Sequence, residues 1–194
     1  MIAIHTDHAL HRAEEVKAAR RLNVGCGQFP LHYWTNLDAA EDAYADIRVT
    51  VPPLPYADAS LDDIFAGHFL EHLAPDDADV FLRECYRCLA PGGRLGIVVP
   101  DTREIMRRYL RGDQDRVQVP AGQWHDLSDL DAICRVFLYS TVQDSHHLWS
   151  YDHRTLYRRM VNAGFDILGE IDRWNDPRLG TGQWYQFGLD AVKR

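Results

Sequence analysis

The chain has 194 residues, 46% of them hydrophobic, which is enough for one domain with a sizeable core. Its net charge is -8, from 21 lysines and arginines against 29 aspartates and glutamates, so we expect no broad nucleic-acid surface. No export signal opens the sequence and no apolar stretch is long enough to span a bilayer, so we predict a cytoplasmic protein whose four cysteines are reduced.

Apolar residues recur alternately at strand and helix spacing along the chain. In chain order we predict a helix at 7–20, strands at 21–24, 34–38, 47–51 and 61–69, a helix at 75–89, a strand at 94–100, a helix at 102–111, a loop at 112–126, helices at 127–140 and 152–165, and strands at 165–172 and 184–192. This alternation predicts an α/β fold with a doubly wound, mostly parallel sheet. The last two strands lack a helix between them, so we expect a hairpin and one antiparallel strand near the C-terminus.

The segment LNVGCG (22–27) carries the first strand into a Gly-x-Gly turn. Such a turn lets a ligand approach the backbone, whose N–H groups can meet a carboxylate or a phosphate. The third glycine of the dinucleotide fingerprint is absent, because Gln28, Phe29 and Pro30 follow. A tight turn without a ligand is an equal interpretation of this segment alone.

The second predicted strand ends in Asp38, beside the first strand at the carboxyl edge of the sheet. A carboxylate at this place can accept both hydroxyls of a ribose, although dinucleotide folds space it roughly 20 residues from the glycines. For an isolated aspartate we would favour a turn cap, but the glycine turn upstream favours ribose binding.

Two cysteines, Cys85 and Cys88, have the spacing of a zinc or redox pair. There is no second pair, and the two fall late in a predicted helix with Phe81, Leu82 and Leu89 at matching spacing. We therefore predict that they pack in the core as small hydrophobic side chains.

Taken together, the chain resembles a class I S-adenosylmethionine-dependent methyltransferase, most closely a small bacterial type-11-like group associated with sugar or polysaccharide biosynthesis. The likeness rests on LNVGCG, WTNLD, LPYADASLDDIFAGHFLEHL and FLRECYRCLAPGGRLGIVVPD, which cover residues 21–101, with a weaker similarity in HLWSYDHRTLYRRMVNAGF, which extends to 165. It implies one Rossmann-like domain over residues 1–194, in which 112–150 form an acceptor-site insertion or lid.

The resemblance also implies a cofactor site for S-adenosylmethionine. The glycine turn would pass under the methionine part and Asp38 would bind the ribose. The family's adenine-binding aspartate would fall near Thr50, and Asp46 lies a few residues too early, so backbone groups are expected to serve instead. Asn23 stands where an acid is often found, so the methionine amine needs another partner. The implied cofactor-binding residues are Val24, Gly25, Cys26, Gly27, Asp38, Thr50, Val51 and His68.

The motif His68-x-x-Glu71-His72 matches a zinc-peptidase pattern in which both imidazoles bind one metal. The resemblance places His68 at the end of the fourth strand and His72 in the next turn, so the two rings need not share a helix face. A zinc site would also need a third ligand, and we predict no metal here. His68 would lie over the transfer cleft, Glu71 would orient the turn, and His72 remains a candidate base.

The acceptor side of the site is assigned to two further segments. Asp101 follows the strongest strand, where it could orient a substrate hydroxyl or a histidine, or simply cap the next helix. The segment 146–153 (HHLWSYDH) is dense in histidine and aromatic residues, and by the resemblance it borders the acceptor pocket. Histidine titrates near neutral pH and can take a hydroxyl proton. We therefore predict His147 as the base, assisted by Asp101, with His72 as a further catalytic candidate.

We therefore expect a methyltransferase for a small-molecule or glycan acceptor, with no nucleic-acid partner and no membrane span. A homodimer is left open by the sequence. The main alternative is a non-catalytic S-adenosylmethionine-binding or scaffold protein, which the altered adenine position and Asn23 favour. A nicotinamide-dependent oxidoreductase would have the same sheet, but this sequence lacks its third glycine and its usual spacing to the ribose-binding acid.

Overall fold

The computed structural model describes residues 20–113, 116–118, 124–126, 146–171 and 185–194. Its strands are β1 (Arg21–Val24), β2 (Thr35–Asp38), β3 (Ile47–Arg48), β4 (Leu61–Gly67), β5 (Leu89–Pro100), β6 (Arg116–Gln118), β7 (Trp124–Asp126), β8 (Asp166–Glu170) and β9 (Gln186–Val192). Its helices are α1 (Pro75–Cys88), α2 (Thr102–Arg111) and α3 (His153–Asn162), with a 3-10 turn at Leu70–His72. The helices predicted at 7–20 and 127–140 lie outside the described residues, apart from residue 20.

The main sheet has seven strands in the order β3-β2-β1-β4-β5-β9-β8. Neighbouring strands from β3 to β5 run parallel, whereas β9 is antiparallel to both β5 and β8. The Rossmann-like α/β fold, the single reversed strand of this sheet and the pairing of the last two strands confirm the sequence prediction. Strand order reverses between β1 and β4, and ligands of such sheets bind where the order reverses, outside the carboxyl ends of the strands.

The central strands are apolar because both faces of the sheet are covered. Ile64 and Ile97 belong to a large cluster on one face, whereas the next residues along each strand, Phe65 and Val98, pack with Leu31 in a second cluster. All four strand residues are fully buried. This alternation locks the register of β4 against β5, since a one-residue slip would exchange the two faces.

The helix α1 begins and ends where the sequence predicts. Pro75 occupies its first turn, where the missing N–H costs no hydrogen bond, and Leu89 is already extended. Its buried residues include Phe81, Leu82, Cys85 and Cys88, which confirms the predicted apolar stripe. Every helix in the described part of the chain is too short or too polar to cross a lipid bilayer.

Several predicted element boundaries were wrong, and the helix predicted to extend to 165 ends at Asn162. β3 stops at Arg48 rather than 51, close to Pro52 and Pro53, which lack the N–H that a ladder needs. β4 stops at Gly67 rather than 69, because His68 adopts a left-handed backbone. β5 starts at Leu89, because the Ala-Pro-Gly-Gly segment pairs with Lys193 through two backbone hydrogen bonds. The predicted loop 112–126 contains β6 and β7, which pair with each other.

Candidate functional site

The glycine turn after β1 is held against the end of β2. The N–H groups of Gly25 and Cys26 both donate to the Leu37 carbonyl, at 2.8 and 3.2 Å. Gly25 has a φ of +65°, in the region where glycine pays no side-chain penalty. A Cβ on Gly25 would lie 2.5 Å from Cδ2 of Phe69, so the turn is closed by the residues that follow β4. Val24 and Cys26 are fully buried on either side of it.

Asp38 joins the turn to the end of β2. Its Oδ2 accepts a hydrogen bond from the Gly27 N–H at 2.8 Å, and its Oδ1 accepts one from the Ala40 N–H at 2.9 Å. A carboxylate has about four acceptor sites, so these two bonds leave capacity for a pair of ligand hydroxyls. The side chain is only partly buried, and the structure therefore brings the predicted ribose acid and the predicted glycine turn into direct contact.

Asn23 lies in a buried polar network on the other side of the turn. Its Nδ2 donates to Asn36 Oδ1 at 2.9 Å and to the Phe29 carbonyl at 3.2 Å. Asn36 in turn donates from its backbone N–H and its Nδ2 to Asp46 Oδ2, at 2.9 and 3.0 Å. Asp46 therefore stabilises β2 through its two hydrogen bonds with Asn36. The side-chain amide of Asn23 holds the loop that follows the glycine turn, through its bond to the Phe29 carbonyl.

The segment after β3 carries the position where the adenine acid was expected. Val49 donates its backbone N–H to the Asp38 carbonyl at 3.1 Å, which holds the segment beside β2. Thr50 is exposed and Val51 is 6% exposed. These two residues therefore offer a hydroxyl, backbone groups and an apolar side chain near the end of β2.

His68 sits at a tightly constrained turn between β4 and the 3-10 turn. Its φ is +52°, an uncommon backbone conformation for a residue with a side chain. Its Nδ1 donates to Glu71 Oε1 at 3.2 Å, and its Nε2 lies 2.6 Å from Gln186 Oε1 on β9. These contacts fix the ring at the carboxyl edge of the sheet. Neither Gln186 nor Phe69 was predicted as a site residue.

Glu71 is a buried carboxylate surrounded by histidines. Burial raises its pKa, but the hydrogen bond from His68 and the positive potential of His68, His72 and His147 outweigh burial and lower the pKa to about 2. The side chain is therefore ionised at neutral pH. Its backbone carbonyl accepts hydrogen bonds from the N–H groups of Leu148 and Trp149, at 2.8 and 3.1 Å. The 3-10 turn and the 146–149 segment are thereby joined.

That junction brings two of the predicted catalytic residues together. The ring centroids of His72 and His147 are 4.8 Å apart and the rings are nearly perpendicular. His72 Nδ1 donates to the His146 carbonyl at 3.1 Å. Both rings are partly exposed, so they can reach a ligand that enters from solvent.

Asp101, the third predicted catalytic residue, caps α2. Its Oδ1 accepts a hydrogen bond from the Glu104 N–H at 3.0 Å. Thr102 also donates its N–H to the Tyr151 carbonyl at 3.1 Å, so Asp101 lies beside the segment that carries His147. The predicted cap is therefore present, and the carboxylate keeps a partly exposed position at the same edge of the sheet.

The two cysteines of α1 are fully buried in the core. Burial raises the pKa of the Cys85 thiol well above its ordinary value and, as the largest cause, raises that of Cys88 to about 11. Both are therefore thiols at neutral pH, and a thiol is a weak nucleophile and a poor metal ligand.

Comparison with known proteins shows what this chain is similar to. Residues 22–97 match the family model described as a methyltransferase domain. No curated protein sequence matches the chain significantly. The matched segment contains the glycine turn, Asp38, His68 and His72, whereas Asp101 and His147 lie outside it.

Three solved structures show the same fold along nearly the whole chain. An S-adenosylmethionine-dependent methyltransferase from Mesorhizobium loti is 16% identical with a TM-score of 0.53, and the alignment covers 95% of this chain and 96% of that one. Those from Aquifex aeolicus and Archaeoglobus fulgidus are each 14% identical, with TM-scores of 0.53 and 0.51. Their alignments cover 97% and 98% of this chain, and 89% and 93% of theirs. The domain match over residues 22–97 and the shared fold show that the chain is similar to S-adenosylmethionine-dependent methyltransferases.

Proposed function

We propose that this chain, whose residues 22–97 match a methyltransferase-domain model, transfers a methyl group from S-adenosylmethionine to a small-molecule or sugar-type acceptor. The observation that carries the proposal is the contact between Asp38 and the glycine turn. It places a carboxylate and a partly buried glycine turn at the ends of two adjacent parallel strands, where a nucleoside with an attached amino acid would bind.

The residues present suit that cofactor. Asp38 has acceptor capacity for the two ribose hydroxyls, and the Gly-Cys-Gly turn offers a surface without long side chains for the methionine part. Thr50 and Val51 would border the adenine. When bound, the cofactor supplies a methyl group made electrophilic by a positive sulfur, so the protein's main task is to align the acceptor with it.

The acceptor side would be formed by the 146–151 segment together with the carboxyl ends of β4 and β5. Trp149 is 44% exposed and adjoins Glu71, so its ring is available to stack on a sugar face. A hydroxyl acceptor must lose a proton, and His147, next to His72, is the base that we propose, with Asp101 assisting. An amine or carboxylate acceptor would need only alignment and removal from water.

The proposal is tested first by cofactor binding. We expect calorimetric titration with S-adenosylhomocysteine to show one site per chain, and NADH in a parallel titration to show none. Methyl-labelled S-adenosylmethionine, incubated with the protein and a panel of sugars and small hydroxylated or amino compounds, should then label at least one acceptor. Absence of S-adenosylhomocysteine binding would refute the proposal. Binding without transfer across the panel would favour the alternative, a cofactor-binding protein without catalysis.

Two substitutions can separate the proposed catalytic role of Asp101 from its role as the N-cap of α2. Asn is as good an N-cap as Asp, whereas Ala costs about 1 kcal/mol. We therefore expect Asp101→Asn to unfold in urea like the wild type, and Asp101→Ala to lose about 1 kcal/mol of unfolding free energy. Both should lose at least about tenfold in transfer to a hydroxyl acceptor, because both lack the carboxylate. Full transfer activity in Asp101→Asn would show that the residue is a cap alone.

A further inference from the structure

Three potential metal ligands from two distant parts of the chain meet at the acceptor side of the site. Glu71, His72 and His147 each offer one ligand atom, and these atoms lie within 4.8 Å of one another. Ligands of a bound transition metal lie about 2.0–2.2 Å from the ion, so the atoms need to close by about 1 Å to share one. His72 and His147 are only partly buried, so their side chains have room for that movement.

The carboxylate of Glu71 has an oxygen available for such an ion. Oε1 is held by Nδ1 of His68, but Oε2 is buried and has no hydrogen-bond partner among the described residues. Leaving a buried carboxylate oxygen without a partner is unfavourable, and a metal ion is one of the few partners that remove this cost. The whole Glu71 side chain is 1% exposed, so the fold itself holds this oxygen in a buried position.

The ring of His72 is already oriented as a metal ligand. A histidine that binds a metal through one nitrogen nearly always donates the other N–H to a carbonyl or carboxylate, which fixes its tautomer. His72 donates Nδ1–H to the His146 carbonyl at 3.1 Å, and Nε2 therefore carries the free lone pair. His147 is the next residue along the chain, so the His146 carbonyl that orients His72 is adjacent to the other histidine ligand.

The cluster lies next to the predicted cofactor site. Phe69, two residues before Glu71, packs on Gly25 of the glycine turn, and His68 links Glu71 to β9. Because both imidazoles are partly exposed while the carboxylate is buried, an ion would be held from one side and would face the cleft on the other. That arrangement leaves coordination positions for a water or a substrate oxygen.

We propose that Glu71, His72 and His147 hold a divalent first-row transition-metal ion that binds the hydroxyl group of the methyl acceptor. Two imidazoles and one carboxylate with open positions suit such ions better than Mg²⁺ or Ca²⁺, which favour all-oxygen sites. The proposal rests on the proposed function and narrows its acceptor to a compound with a hydroxyl, or with two adjacent ones. It differs from the sequence prediction of no metal, which was made for His68 and His72 and lacked the third ligand.

The ion changes how the hydroxyl proton is lost. Coordination lowers the pKa of a bound water from 15.7 to about 7, and an alcohol oxygen responds in the same direction. The proton passes to solvent water, and the metal-bound alkoxide oxygen then forms a bond to the methyl carbon as the carbon–sulfur bond breaks. The electron pair of that bond stays on sulfur, and the products are a methyl ether, S-adenosylhomocysteine and one proton. With the ion bound, His72 and His147 are ligands and act on the hydroxyl through the ion, which replaces the direct proton transfer to His147 proposed for the metal-free site.

The test is direct metal binding to the full chain, without an affinity tag and after treatment with a chelator. We expect Zn²⁺ to bind with a stoichiometry of one by calorimetry, and Co²⁺ to give the visible absorption of a site with nitrogen ligands. Glu71→Gln and His147→Gln should each weaken Zn²⁺ binding on the order of 100-fold, since each removes one of three ligands. His32→Gln, which removes an exposed histidine on the loop between β1 and β2, should bind Zn²⁺ like the wild type.

The folding and the S-adenosylhomocysteine binding of each variant are measured together with its Zn²⁺ binding. Because Glu71 is buried, a loss of Zn²⁺ binding in its variant is counted only if the variant folds. His147 is only partly buried, so its variant provides the decisive comparison, with circular dichroism as the check of folding. Unchanged Zn²⁺ affinity in a folded His147→Gln protein, or no Zn²⁺ binding by the wild type, would overturn the metal site. Such a result would leave the proposed function intact as long as S-adenosylhomocysteine still binds. Loss of S-adenosylhomocysteine binding in the metal-loaded protein would instead refute the proposed function.

Discussion

Asp38→Ala is expected to weaken the binding of S-adenosylhomocysteine by about 100-fold or more. A hydrogen bond to a charged group contributes about 1.5–3 kcal/mol, and every 1.4 kcal/mol is a factor of ten in the dissociation constant. The substitution removes the proposed acceptor of both ribose hydroxyls and also releases the N–H groups of Gly27 and Ala40. Isothermal calorimetry on the folded variant measures the change.

Asp46→Ala is the matched control for this loss. Asp46 also accepts two hydrogen bonds at β2, both from Asn36, but it lies on the side of the network away from the glycine turn. We expect this variant to lose stability while its affinity for S-adenosylhomocysteine stays within a few-fold of the wild type. If Asp38→Ala kept wild-type affinity, or if both variants lost affinity equally, ribose recognition by Asp38 would be wrong.

Gly25→Ala is expected to destabilise the fold by about 2–5 kcal/mol. A residue with a side chain costs about 1–2 kcal/mol in a left-handed conformation, and forcing an extra methyl group into a packed site adds about 1–3 kcal/mol. The backbone φ of +65° incurs the first cost, and the 2.5 Å approach of the new Cβ to Phe69 incurs the second. Urea denaturation measures the loss, and cofactor binding should fall with it because Phe69 must move.

Gly92→Ala separates the two costs. Gly92 has a φ of +81°, but a Cβ placed on it would meet nothing within 4 Å. We therefore expect this variant to lose only about 1–2 kcal/mol, the cost of the backbone conformation. Equal losses in the two variants would mean that the contact with Phe69 contributes nothing.

Much of the fold could be predicted because the buried strands and the helices have clear patterns of apolar residues. Strands β4 and β5 are buried on both faces and read as apolar runs, and α2 was predicted with its observed bounds. The pairing of β8 with β9 was predicted because the sequence between them lacks a helical pattern. The strands β6 and β7 were missed because they are three residues each, too short for alternation to show.

The site was less predictable, because only part of it lies at strand ends. Asp38 and the glycine turn could be paired from the sequence, since adjacent parallel strands end at one edge. The approach of His72 to His147 could not, because it depends on the backbone bonds that join Leu148 and Trp149 to the Glu71 carbonyl. The burial of Glu71 likewise has no local signature, as a glutamate within a polar motif usually faces solvent.

The reversed strand β9 has a consequence for how much of the chain is needed. It fills the space between β5 and β8 and contributes Gln186 to the contact with His68. A fragment restricted to the matched segment, 22–97, would present β5 as an uncovered edge with unpaired amide and carbonyl groups, which invites aggregation. The segment that matches the family model is thus shorter than the unit that must be expressed to obtain a well-behaved sample.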